Sequence, residues 1–178
     1  MKNTSKTALG SMAVAIGTVV MLLASAIPTL EYAIPALAGF MVLFILAELG
    51  VGWSIGVYAA TSLLGVFIVP NKEAVGMYIA LFGIYPIIKF YVDKLPKVIG
   101  YIIKGIFFTV SVLSCYYILI SFFGVASELL EELNKITLPI LVVCGLFAFY
   151  VYDRAMTLIG AKYKLKYHKF VVRMFKHH

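Results

Sequence analysis

Between Ala74 and Ile88 the chain carries no charge, and a polar clasp closes each end of that run. Asn71-Lys72-Glu73 precedes it; Lys89, Asp93, Lys94 and Lys97 follow. As a helix, Glu73 to Lys89 rises roughly 24 Å. With Lys89 stretching its methylene stem toward the headgroups, that approaches the roughly 30 Å hydrocarbon core of a bilayer. The rest of the chain is built the same way: 63% of residues are hydrophobic and only 13% charged, whereas soluble domains run near half and a quarter. These features predict an all-α integral membrane protein, with the lipid bilayer as its first partner.

The other spans follow from where the apolar runs break. Ala8 to Ile27 is the first. Ala24-Ser25-Ala26 after a basic start has the form of a signal-peptide cleavage site, but the run is long for a signal sequence and is read as a retained span. From Ala36 to Val69 a single charged residue, Glu48, interrupts the apolar sequence. A mid-membrane carboxylate costs about 2.5–3.5 kcal/mol, and Gly50 and Gly52 permit a tight turn, so this stretch divides there. The predicted spans are about 8–27, 34–49, 52–69, 74–92, 98–123 and 136–155, a six-helix bundle over residues 1–160. Pro86 is expected to bend the fourth span near its far end. Asp153 and Arg154 are read as marking where the last helix leaves the hydrocarbon, and Lys89 and Lys104 as snorkelling to the headgroups. Residues 161–178 form a basic, aromatic tail with Lys162, Lys164, Lys166, Lys169, Arg173 and Lys176. It is expected to lie on an anionic leaflet rather than on nucleic acid.

Charge orients the bundle. Six spans put every Lys and Arg except Lys72 and Lys135 on one side, and Glu31, Glu73, Glu128, Glu131 and Glu132 on the other. The positive-inside rule then makes both termini cytoplasmic, in a bacterial cytoplasmic membrane.

Chemistry is sparse. Cys115 and Cys144 sit in apolar runs without metal-ligand spacing, and His168, His177 and His178 all lie in the tail, the last two resembling the remnant of a purification tag. The sequence has no glycine-rich phosphate loop, HExxH or GxSxG. No catalytic residue, metal or cofactor is expected. The outer end offers more. Three short loops bring Glu31, Tyr32, Asn71, Lys72, Glu73, Glu128 and Asn134 together, with Tyr78 one turn inside. An aromatic wall with a few placed polar groups suits a small-molecule pocket, and the acid excess there favours a cationic or zwitterionic ligand. On the first span, Ser11 with Ala15, or Ala13 with Gly17, gives small residues at the spacing that lets another helix approach closely.

The layout, and the run ALAGFMVLFILAELGVGWSIGVYAATSLLGVF with its glycine-rich turn, resembles the substrate-binding S subunit of energy-coupling-factor (ECF) vitamin transporters. The resemblance implies six helices, capture of a vitamin-like micronutrient at the outer loops, and docking through the first helix onto a transmembrane coupling subunit driven by two ATPases. In that family the docking motif is a pair of alanines; this chain carries Ser11/Ala15 or Ala13/Gly17 instead. Other classes are a non-catalytic scaffold subunit of a bacterial membrane complex, which needs no pocket, and a stand-alone secondary transporter, which needs a polar midplane and broken helices.

Overall fold

The computed structural model describes residues 3–27, 30, 32–123 and 137–166, and among these every regular element is a helix. In chain order they are α1 (Asn3–Ala26), α2 (Ala33–Leu49), α3 (Val51–Ile68), α4 (Lys72–Met77), a π-helical segment (Tyr78–Phe82), α5 (Tyr85–Val92), α6 (Lys97–Phe123) and α7 (Thr137–Lys166). Among the described residues, five stretches are long and apolar enough to cross a membrane: Asn3–Ala26, Val51–Ile68, Lys72–Val92, Lys97–Cys115 and Val143–Tyr163. α2 is apolar but shorter. Large apolar side chains such as Phe67, Val98, Leu113 and Phe147 point outward, which water would penalise and lipid does not. The chain is a multi-pass helical membrane protein.

α1 packs against α2 and α3. Small residues make the approach close: a Cβ on Gly10 would lie 3.6 Å from the Trp53 ring, and one on Gly17 would lie 3.3 Å from Thr61. Ala13 is buried between them. The Ala13–Gly17 face is therefore turned into the chain's own bundle, while Ser11 and Ala15 lie exposed on the opposite side.

The division of the 36–69 stretch falls at Gly50 alone, with Gly52 already inside α3. Gly50 has φ 84° and ψ −175°, a region that essentially only glycine occupies. Its carbonyl starts α3 by accepting from the Ser54 N–H and the Ser54 hydroxyl. Gly50→Ala is expected to lower the melting temperature of the purified protein by the equivalent of about 1–3 kcal/mol. Gly52→Ala, whose Cβ meets nothing within 4 Å, should leave the melting temperature unchanged.

The Lys72–Val92 span is not a bent helix but a broken one, and the break begins well before Pro86. The Gly83 N–H bonds to the Tyr78 carbonyl rather than to that of Ile79, the wider spacing of a π turn. That frees the Ile79 carbonyl, and the Tyr58 hydroxyl of α3 donates to it at 2.8 Å. Pro86, in the first turn of α5, has no N–H for the Phe82 carbonyl. The Tyr152 hydroxyl of α7 stands 3.4 Å from that oxygen and from the Ala36 carbonyl. Irregular backbone at membrane depth survives only where protein groups re-satisfy it, and here two tyrosines do so. Gly83 leaves room for the Tyr58 and Tyr78 rings, each 2.8 Å from where its Cβ would stand.

α7 runs unbroken to Lys166, so Asp153 lies well inside a helix and the first residues of the expected tail are helical. The tail beyond residue 166, and its histidines, lie outside the described residues.

Candidate functional site

Two polar regions lie within the apolar bundle. The first gathers α5, α6 and α7. Tyr85, Lys89 and Asp93 recur every fourth residue along α5 and just past its end, and so share one face; α6 brings Lys104 and α7 brings Asp153. One oxygen of Asp153, Oδ1, accepts from the Tyr85 hydroxyl at 2.5 Å, from Lys89 Nζ at 2.5 Å and from Lys104 Nζ at 3.0 Å. Asp93 bridges the same two lysines, at 3.0 Å to Lys89 and 2.6 Å to Lys104. The two ammonium and two carboxylate groups balance. Lys89, Lys104 and Asp153 are only 6%, 8% and 5% exposed, while the Asp93 side chain, 44% exposed, connects the cluster to the surface.

This corrects the sequence reading on two counts. The lysines do not snorkel outward but turn inward onto carboxylates, and Asp153 is the acceptor at the centre rather than a marker of the membrane boundary. Arg154 alone behaves as expected of a boundary residue: it is exposed, and its Nε donates to the Tyr150 hydroxyl at 3.1 Å. Around the cluster, Tyr85 packs on Phe107 and Phe149, apolar surroundings in which ion pairs are stronger than in water.

The second region is the opposite end of the fourth span. Asn71, Lys72 and Glu73 share one turn there, as expected, but the first two serve the backbone. Asn71 caps α4 by accepting from the Ala74 N–H at 3.0 Å. Its own N–H donates to the Ser25 hydroxyl of α1. Lys72 Nζ donates to the Val66 and Val69 carbonyls at 2.7 and 2.9 Å, closing the C-terminal end of α3. Glu73, half-buried, sits in the first turn of α4, where the helix dipole favours an anion. Tyr32 is half-exposed at the start of α2. Glu31, Glu128 and Asn134, with Glu131, Glu132 and Lys135, lie outside the described residues.

Tyr78 stands below that turn, at the head of the π segment. It is fully buried, and its hydroxyl makes no hydrogen bond. The Thr61 side chain stands beside it without closing one. The Ser62 hydroxyl is likewise buried and unpartnered. A buried hydroxyl left unsatisfied costs about 1–3 kcal/mol, so a polar group reaching this place would gain that much. Sequence reasoning singled out Tyr78 for its position; Thr61 and Ser62 were missed, although two hydroxyls in an apolar span are a visible signal.

Cys115 turns its sulfur toward Gly76, 3.1 Å from where a Cβ would be, in keeping with a packing role. Among the described residues no group of three His, Cys, Asp or Glu gathers to hold a metal. Comparison of the chain with protein-family models, curated proteins and solved structures finds no match to any of them. The class of the protein therefore rests on its fold and on these two polar regions: a multi-pass helical bundle with a broken Lys72–Val92 span and a buried ion cluster.

Proposed function

We propose that this chain is a non-catalytic substrate-binding subunit for uptake of a small, vitamin-like micronutrient across a bacterial cytoplasmic membrane. In this reading α2 is the sixth span, both termini are cytoplasmic, and the Asn71–Glu73 turn faces outward. The observation that carries the reading is the unpartnered Tyr78 hydroxyl, buried where the fourth span breaks. Discontinuous membrane helices recur at solute sites because they place polar groups at depth. Tyr32, Glu73 and the region of Glu31, Glu128 and Asn134 guide a cationic or zwitterionic solute toward that hydroxyl. Asn71 and Lys72 shape the entrance through their caps. Energy comes from a coupling subunit and two ATPases, as the ECF resemblance implies, and Ser11 and Ala15 supply the exposed small-residue face on α1 for docking.

The full use of Asn71 and Lys72 in capping favours a second reading, the scaffold subunit. A panel of vitamins added to the purified protein separates the two. A binder present at a hundred times its dissociation constant stabilises the fold by about 2.7 kcal/mol, read as a raised melting temperature. A complete panel without a shift, and without any small molecule co-purifying by mass spectrometry, would favour the scaffold.

A further inference from the structure

α6 and α7 run antiparallel: Phe108 meets Gly145 and Phe149, while Tyr101 meets Tyr150. Beside the Phe108 contact, residues of both helices line a cleft of about 120 Å³. Its floor is the Lys104–Asp153 pair and its walls include Tyr101, Gly105, Leu146 and Tyr150. The floor charges already satisfy each other at 3.0 Å, so the cleft asks for an apolar guest. Gly105 leaves it open, because a Cβ there would meet nothing within 4 Å.

The rim is different in kind. Tyr101 and Tyr150 are both half-exposed. One turn before Tyr101 on α6 stands Lys97, and one turn after Tyr150 on α7 stands Arg154. Because the helices are antiparallel, both cations mark the same end of the cleft. Both are exposed, and neither makes an ion pair among the described residues. A largely apolar slot with two exposed cations and two phenols at one end, one of the cations (Arg154) already held by the Tyr150 hydroxyl, matches one molecule of the bilayer in both its parts. We propose that this cleft binds an anionic phospholipid, with one acyl chain over Gly105 and the phosphate between Lys97 and Arg154. Tyr101 and Tyr150 stand at the headgroup level, where tyrosines favour the interface. The assignment needs a bilayer-spanning bundle but does not depend on the solute reading.

Native mass spectrometry of the full chain in detergent, with added phosphatidylglycerol or phosphatidylcholine, tests it. The wild type should hold phosphatidylglycerol at least about fivefold more tightly. Each cation near a membrane surface is worth about that factor, so K97Q/R154Q should lose about 25-fold for the anionic lipid and little for the zwitterionic one. Gly105→Leu, whose Cβ meets nothing within 4 Å, carries its side chain into the slot and should weaken both lipids. Equal retention of the two lipids by the wild type, or undiminished retention by Gly105→Leu, would overturn the proposal. Displacement of the lipid by millimolar inorganic phosphate would overturn it too, since only the headgroup would then be held.

Discussion

Exchanging Asp153 for alanine is expected to lower the stability of the purified protein by about 3–5 kcal/mol, the cost of removing one partner from a buried ion pair. Asp153 Oδ1 accepts from Tyr85, Lys89 and Lys104, and without it two ammonium groups less than a tenth exposed share only Asp93. That carboxylate is half in contact with the surroundings and cannot hold both as tightly. A second variant separates loss of charge balance from loss of shape. Y85F/K89M/K104M/D153L removes the buried charges together with the Tyr85 hydroxyl that would otherwise lose its acceptor and keeps comparable volume, so it should recover most of the stability, as apolar replacement of buried ion pairs often does. Denaturant or thermal unfolding of the three proteins side by side measures this. A D153A protein as stable as the wild type would mean the cluster does not hold α5, α6 and α7 together.

The second large effect is expected at Gly39. A Cβ there would lie 2.5 Å from the Phe82 carbonyl oxygen and 2.6 Å from the Tyr152 hydroxyl. The carbonyl belongs to the break and has no freedom to swing aside. The hydroxyl can move only by leaving the Phe82 and Ala36 oxygens it approaches. One added methyl therefore forces α2 away from the break and uncovers a carbonyl in lipid. Gly39→Ala should cost about 2–3 kcal/mol, at the upper end of what overpacking does. Gly56→Ala on α3, whose Cβ meets nothing within 4 Å, should be neutral. The same unfolding measurement reads both.

These two sites show which parts of the molecule were legible in the sequence. The apolar runs and their polar interruptions were legible because lipid tolerates few charges, and the break at Gly50 was legible because a carboxylate and glycines coincide there. The π segment was not. Tyr78 to Phe82 reads as ordinary apolar helix, and only Gly83 and Pro86 hint at trouble; what makes the break tenable is Tyr58 and Tyr152, far away along the chain. The ion cluster was half legible. Lys89 and Asp93 are four apart and pair on one helix face, but their partners Lys104 and Asp153 come from other helices, so each charge taken singly looked like a boundary residue. At the opposite end of the same span the short Asn71-Lys72-Glu73 turn reads as a ligand site, yet asparagine before a helix is also a cap, and a lysine just past a helix end also reaches its last carbonyls. Both meanings fit the letters, and geometry gives the first two residues to the backbone.

The proposed solute site centres on the Tyr78 hydroxyl, and Tyr78→Phe isolates it. The ring and its packing remain, and an unsatisfied polar atom leaves the interior, so the ligand-free melting temperature should stay the same or rise slightly. On the proposed function, the solute bound there should stabilise this variant far less than the wild type. A full ligand-induced shift in Tyr78→Phe would contradict the placement of the site at the broken span.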